Sequence, residues 1–395
     1  MIKDPHELIA KYWDKVREHR RWLHAHPELT GKEEQTSAYV AGVLREIGLE
    51  PTEHVGGYGV TAVIQGRAPG KCVGLRADMD ALPLTESTGL PFASTNPGVA
   101  HSCGHDCHTS MLLGAAYVLN EMKDSFDGCV KLVFQPAEED PMASGARRMI
   151  ADGVLENPHV DAMFGQHVWP QVPFGKVAIR NGAMMASSDR FFITVHGKSS
   201  HGSAPEYGVD AITIAAQVIS AMQTIVSRNV SPLDSAVVTI GTIAGGNRYN
   251  VIADEVRMEG TCRNLNPAVR NQMPARMEKM IRGIVEGMGG TCDFEYFMGY
   301  SPTVNDPEQF ELVRGVITDV VGEQNLVIPE NSALGGEDFS FYCEKIPSAF
   351  FWLGCSKPDD PDPLPIHHGG FCPVEDAMTI GMEVLVTSAL RYLAK

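Results

Sequence analysis

Cys103 and His105 stand two residues apart in Ala100–Thr109 (AHSCGHDCHT), and Asp106, Cys107 and His108 follow at once. A two-residue spacing on an extended segment turns both side chains to one side. Thiolate and imidazole are borderline-soft ligands suited to zinc, and in mixed sites to cobalt, nickel or manganese. Asp106 and His108 are candidates to support such a site from behind, because a carboxylate that takes the spare N–H of a ligand histidine fixes its tautomer. The same run also reads as a histidine-rich helix start with a buried free thiol, and alone it leaves both readings open.

A second chemical signal is Gln135–Asp140 (QPAEED), directly after an apolar run. Consecutive side chains on extended backbone point in opposite directions, so Glu138 and Glu139 are not expected to bind one ion in the same way. If Glu139 ligates a metal, Glu138 can lie beside metal-activated water and take its proton as a general base. A lone EED is more commonly a solvated acidic turn. His167, just before Trp169-Pro170, and His367, in Pro365–Gly370 (PIHHGG), matter by position. Either one alone is more commonly structural than a ligand. The remaining histidines include His24 and His26 (LHAHPE) and His201 (SSHGSAP).

The elements that must position these groups change character along the chain. Up to about residue 185, apolar strands at Val60–Gly66, Cys72–Asp78, Gly128–Phe134 and Asp161–Gly165 alternate with helices at Thr36–Ile47, His108–Met122 and Gly145–Leu155. Alternation of this kind predicts parallel strands joined by crossover helices, with ligands at the carboxyl ends of the strands. RADMD, PAEED and QHV each follow such a strand. From Ala186 the pattern becomes strand Arg190–His196, helix Asp210–Arg228, strands Ser235–Ile243 and Asn250–Arg263, helix Pro267–Met288 and strand Thr291–Phe297. The order βαββαβ predicts a small antiparallel sheet with two helices on one face. After about Pro302 come a helix, a strand at Ala349–Gly354 and a final helix at Val374–Leu393. A small domain (186–300) inserted between two parts of a larger one (1–185 and 301–395) explains this order.

A chain of 395 residues carries about two domains. With 44% hydrophobic and 21% charged residues and no low-complexity tract, disorder is excluded. The formal charge of −17 repels phosphate backbones and argues against nucleic-acid binding. No apolar run approaches the roughly 20 residues that span a bilayer. The charged amphipathic start, MIKDPHELIAKYWDKVREHRRW, lacks the apolar core of a secretory signal. Nine cysteines without scaffold-like spacing fit reduced thiols in the cytoplasm.

Taken together and in order, these segments resemble the metallopeptidase superfamily of aminoacylases and zinc carboxypeptidases, peptidase family M20. The closest branch is that of hippurate hydrolases, N-acyl-amino-acid amidohydrolases and auxin-conjugate hydrolases. The resemblance spans nearly the whole chain: RRWLHAHPELTGKE (Arg20–Glu33), RADMDALP (Arg76–Pro83), HSCGHDCHT, FQPAEE, GQH, GKSSHGSAPEYGVDA, GGNRYNVIAD, GTCRNL, GGEDFSFY (Glu337, Asp338) and IHHGGF. It implies a three-layer αβα catalytic domain with an inserted ferredoxin-like dimerisation (lid) domain. Cys103, His105, Glu139, His167 and His367 look like ligands of one or two divalent ions, zinc foremost, with manganese, cobalt or nickel as alternatives. Glu138 matches the general base and Asp80 a supporting carboxylate. His201 matches an oxyanion-stabilising histidine that often serves the partner subunit of a homodimer, and Asn250 and Arg263 match groups that hold a substrate carboxylate.

The reaction so implied is hydrolysis of the amide bond of N-acyl amino acids; a dipeptidase or carboxypeptidase would use the same groups, and an inactive dimeric scaffold would need neither Glu138 nor the full ligand set. Three positions depart from the family pattern. Cys107 places a second thiol next to the ligand run. The last loop, IHHGGFCPVED, offers His367 or His368, of which His367 follows the apolar Ile366 as in the family. Glu206-Tyr207 stands where a histidine is common.

Overall fold

A computed structural model describes residues 4–395; Met1–Lys3, the start of the charged N-terminal stretch, lie outside the described residues. The chain opens with helices α1 (Pro5–Ala25) and α2 (Glu34–Ile47), then strands β1 (Thr52–Val55), β2 (Gly59–Gln65) and β3 (Cys72–Asp78). Helix α3 (His105–Glu121) leads into β4 (Cys129–Gln135), α4 (Gly145–Ala151), β5 (Ala162–Pro173), β6 (Val177–Ala178) and β7 (Gly182–Met185). Next come β8 (Ser188–His196), α5 (Ala211–Thr224), β9 (Ala236–Gly245), β10 (Glu255–Asn264), α6 (Pro267–Gly287) and β11 (Thr291–Tyr300). The chain closes with β12 (Thr303–Asn305), α7 (Pro307–Val321), β13 (Leu326–Val327), α8 (Ser340–Cys343), β14 (Ser348–Ser356) and α9 (Ala377–Leu393). Two compact units result: one runs through Met184 and takes in Thr303–Asn331 and Asp338–Lys395, and the other is Met185–Pro302 with Ser332–Glu337.

The larger unit is built on an eight-stranded sheet in the order β1-β2-β4-β3-β5-β14-β6-β13. Its centre, β4-β3-β5-β14, is parallel, whereas β1/β2, β2/β4 and β14/β6 pair antiparallel. Of the strands expected to run parallel, β3, β4 and β5 do, whereas β2 runs antiparallel to β4 because no crossover helix joins it to β3. Side chains alternate across each strand. From β3 and the residue after it, Val73, Leu75, Ala77 and Met79 enter a core shared with α1, α2, α3, α7 and α9. The opposite face is covered by short elements: Met149 of α4 lies 3.9 Å from the Tyr342 hydroxyl of α8, and Phe339 packs on Phe350 at 5.0 Å between ring centres. Helices on both faces make this a three-layer αβα unit.

The smaller unit has the strand order β11-β8-β10-β9 with antiparallel neighbours throughout. Inward positions Phe191, Ile193, Val195, Val256 and Met258 meet Ile214, Val218, Met273, Met277 and Ile281 of α5 and α6. This is the ferredoxin-like βαββαβ arrangement. The long helix expected over Asp210–Arg228 ends at Thr224 and continues as a π-turn over Ile225–Asn229, and the strand expected from Asn250 begins at Glu255. Among the described residues no helix is long and apolar enough to cross a membrane.

Candidate metal centre

The parallel strands bring the chemically loaded segments together at their carboxyl ends, in the middle of the sheet. Asp78 pairs with Gln135, the last residue of β4, and Arg76 pairs with Gly165, two residues before His167. Asp80 and the Glu138–Glu139 pair thus leave the sheet from adjacent strands. Strand β5 does not stop near Gly165 as its apolar run suggested; it continues through His167 because β14 pairs with it from Ser348 to Ser356.

Cys103 and His105 converge for a different reason from the one their spacing suggested. His105 is the first residue of α3, and between the two lies Gly104 in the left-handed region at φ 93°. A Cβ at Gly104 would sit 2.3 Å from Val168 Cγ2, so the turn that joins loop to helix needs glycine twice over. Around this turn, donor atoms gather in overlapping groups, among them Cys103, His105 and His167; Cys103, Glu139 and His367; His105, Glu138 and Glu139; and Asp78, His105 and His108, with the atoms of each group within 4.8 Å of one another. Cys103 Sγ lies 3.3 Å from His167 Nε2, and His367 Nε2 lies 3.3 Å from Glu139 Oε1. Glu138 and Glu139 both reach the cluster, contrary to the divergence expected of extended backbone, because Ala137 turns the chain at φ 54°. His368 bends back to accept the N–H of Gly370 and belongs to none of these groups.

The surroundings fix which atoms point inward. His167 Nδ1 donates to the Val168 carbonyl at 2.6 Å, which leaves Nε2 for the cluster. His105 Nδ1 faces Asp80 Oδ1 at 3.2 Å, which leaves its Nε2 inward. The two oxygens of Asp80 also accept the N–H groups of Glu138 and Glu139, each at 3.0 Å, and the Thr30 hydroxyl at 2.7 Å. One carboxylate therefore orients a histidine and anchors the paired glutamates.

Asp106 and His108 have other partners. Asp106 accepts from Arg20 Nε at 2.9 Å and pairs with His24 at 2.8 Å, so it ties α3 to α1 rather than supporting a candidate ligand; successive residues of a helix face different sides. His108 donates to Asp78 at 2.6 Å and accepts the N–H of Val168 at 2.9 Å, which uses both ring nitrogens. Cys107 is buried in the core and joins none of the donor groups, so the second thiol points away from the cluster.

A divalent cation fits this donor set. His105 Nε2 and Glu139 Oε1 are buried without a hydrogen-bond partner, a costly state for polar atoms that a ligated ion relieves. Burial opposes a charge on His105, yet the carboxylates of Asp78, Asp80 and Glu139 outweigh it and hold its pKa at about 10. Burial, then Glu139 and Glu138, push the Cys103 thiol well above its ordinary value. Such a concentration of negative charge favours a cation, and a coordinating thiol is deprotonated outright. Groups that overlap at Cys103, His105 and Glu139 give the centre room for one or two divalent ions.

Strand β3 contributes charges that the motif reading passed over. Arg76, fully buried, donates to Asp78 at 2.7 Å, Asp338 at 2.8 Å and Gln135 at 2.9 Å. Asp338 accepts in turn from Gln135, Ser144 and the N–H of Ala146. The signal was present in CVGLRADMD: polar Arg76, Asp78 and Asp80 alternate with Leu75, Ala77 and Met79, a period of two that puts the charges on one face of a buried strand.

The fold and this centre define a metal-dependent hydrolase of amide or peptide bonds that holds one or two divalent ions. The chain belongs to peptidase family M20/M25/M40, whose match covers residues 74–391. It is 40% identical over 375 residues to the N-acetyl-L-cysteine deacetylase of Bacillus subtilis, covering 95% of this chain and 87% of that protein. It is 39% identical over 398 residues to thermostable carboxypeptidase 1 of Saccharolobus solfataricus, covering 98% of this chain and all (100%) of that one. Among solved structures, the YXEP protein of Bacillus subtilis, described as a dinuclear metal binding peptidase of the M20 family, superposes with a TM-score of 0.83 at 34% identity, covering 98% of this chain and 99% of that chain.

His201, Asn250 and Arg263 lie on the smaller unit. There the N–H of Gly202 donates to the Asn250 carbonyl at 2.8 Å, and His201 bridges to Val251, so His201 and Asn250 are neighbours. His201 is exposed, with Nδ1 2.7 Å from the Ser203 hydroxyl. Asn250 Oδ1 is buried without a partner. Arg263, near the end of β10, donates to the Thr261 hydroxyl and to the Cys262 carbonyl.

Proposed function

We propose that this enzyme hydrolyses the amide bond of N-acyl amino acids, releasing a carboxylic acid and a free amino acid. Cys103, His105, Glu139, His167 and His367 would hold the metal, with zinc favoured by the thiolate and imidazole donors. When bound, the ions supply Lewis acidity that polarises the carbonyl and acidifies water. Glu138, fixed through its backbone by Asp80, takes the proton of the attacking water and delivers it to the leaving nitrogen. His201 donates to the oxyanion as charge develops, and Asn250 and Arg263 hold the carboxylate of the amino-acid half.

Arg263 is the observation that carries this finer reading. Its guanidinium is half-buried, burial lowers its pKa against the opposing pull of Asp189, and its hydrogen bonds go to a hydroxyl and a backbone carbonyl. A half-buried cation whose hydrogen bonds go to neutral oxygens suits an anion supplied by the substrate. The names of the two curated relatives, a deacetylase of N-acetyl-L-cysteine and a carboxypeptidase, both describe cleavage beside a residue with a free carboxylate. The test measures amino acid released from N-acyl amino acids, their C-terminal amides and dipeptides, each with several divalent metals. Wild-type enzyme should prefer the free carboxylate, and Arg263→Ala should raise KM for it about 10–150-fold, the loss of one charge-assisted hydrogen bond. Equal cleavage of acid and amide by the wild type would remove the assignment, and a preference for dipeptides would favour the peptidase reading.

A cytoplasmic homodimer belongs to the same reading. Strand β9 lies at the edge of the small sheet, pairs among the described residues only with β10, and exposes Ile243. An unpaired edge is a template for a second copy across a twofold axis. Light scattering should return a dimer mass; a monomer at micromolar concentration contradicts it.

A further inference from the structure

Glu33 occupies the N-cap position of α2, yet its side chain makes no cap hydrogen bond. Capping is done by Glu28, whose two oxygens accept the N–H groups of Gln35 at 3.1 Å and Thr36 at 2.8 Å. Freed from that duty, the fully buried Glu33 carboxylate turns inward. Its Oε1 accepts the N–H of Gly31 at 2.8 Å and the N–H of Ala137 at 2.9 Å, across more than a hundred residues of chain. Ala137 holds a left-handed backbone, which a residue with a Cβ adopts only when its surroundings impose it. It directly precedes Glu138 and Glu139, whose N–H groups are held by Asp80. Three consecutive amides are thus gripped by two buried carboxylates.

We propose that Glu33 is a positioning residue: by accepting the Ala137 N–H it clamps the left-handed turn that aims Glu138 and Glu139 into the metal centre. The clamp needs an acceptor oxygen at that point and not a charge. Burial, and then Asp80, push the Glu33 carboxyl up to about 7, so its neutral form is within reach near neutral pH. The expected effect on turnover rests on Glu138 acting as proton carrier; the effect on the turn itself does not.

The experiment compares Glu33→Gln, which keeps an acceptor oxygen, with Glu33→Leu, which does not. Amide hydrogen exchange across residues 136–140 is followed in metal-free protein, and kcat and KM are measured with metal bound. Glu33→Leu should accelerate exchange at Ala137 and lower kcat about a hundredfold with KM unchanged, the scale of a 1 Å misplacement. Glu33→Gln should stay close to wild type in both readouts. Adding Ala137→Gly to Glu33→Leu should restore part of the turnover, because glycine takes positive φ without a clamp. Should Glu33→Leu not fold, Glu33→Asp carries the same test, since retracting the carboxylate by one methylene breaks its reach to Ala137. Unchanged exchange and kcat in the variant lacking the contact overturn the clamp, as does an equal loss in Glu33→Gln. Near-normal turnover in Glu138→Gln would instead overturn the proton-carrier reading, and the exchange data would still decide the clamp.

Discussion

Glu138→Gln should retain metal and fold while losing about 10²–10⁴ of its turnover, the usual contribution of positioned proton transfer. The substitution is nearly isosteric, and the Asp80 contact to residue 138 is made by the backbone N–H, so the turn survives it. What disappears is the ability to accept a proton from water and return it to the leaving nitrogen. Glu139→Ala should behave differently. It removes an oxygen 3.3 Å from His367 Nε2 and 3.9 Å from His105 Nε2, so bound metal should fall first and activity with it. Metal content by mass spectrometry, far-ultraviolet circular dichroism and amino-acid release, measured on the same preparations, separate the two. Near-normal turnover in Glu138→Gln sinks the assignment, and so does equal metal loss in both variants.

Arg76→Ala should be among the most destabilising single changes in the larger unit, by about 3–5 kcal/mol, because it leaves buried carboxylates without their cation. Arg76 and its partners Asp78 and Asp338 are all fully buried, and no solvent can screen what remains. Four tryptophans, Trp13, Trp22, Trp169 and Trp352, all lie in this unit, so fluorescence in urea reports its unfolding directly. A loss below about 1 kcal/mol, the value of an exposed pair, would show that the network does not hold the strand ends together. Asp78 also receives His108, whose other nitrogen accepts the N–H of Val168 beside His167, so metal affinity should weaken in the same variant.

The ordered motifs carried the ligand candidates because each donor sits in a short segment whose residue types are unusual together, and chemistry of that kind is local. The alternation of strand and helix in the first half and the βαββαβ order of the insert were legible for a similar reason: period-two and period-3.6 patterns are set by which face of an element is buried. Long-range pairing was less visible. Strand β5 runs past His167 because of β14, nearly two hundred residues later, and the helix expected at His108 starts at His105 because Gly104 fits against Val168. Neither cause lies within the segment it shapes.

Residue types and their order determined that this protein holds one or two divalent ions, with thiolate, imidazole and paired carboxylates as the candidate donors, on an α/β sheet interrupted by a small antiparallel insert. Only the tertiary structure decided which neighbours serve that centre. Asp106 and His108 stand next to the candidate ligands in sequence but are spent on Arg20, His24, Asp78 and Val168. Asp80 and Glu33, distant in sequence, grip the turn that carries Glu138 and Glu139. A hydrogen bond depends on where two atoms meet, and in a buried layer that is set by strand order and packing rather than by separation along the chain.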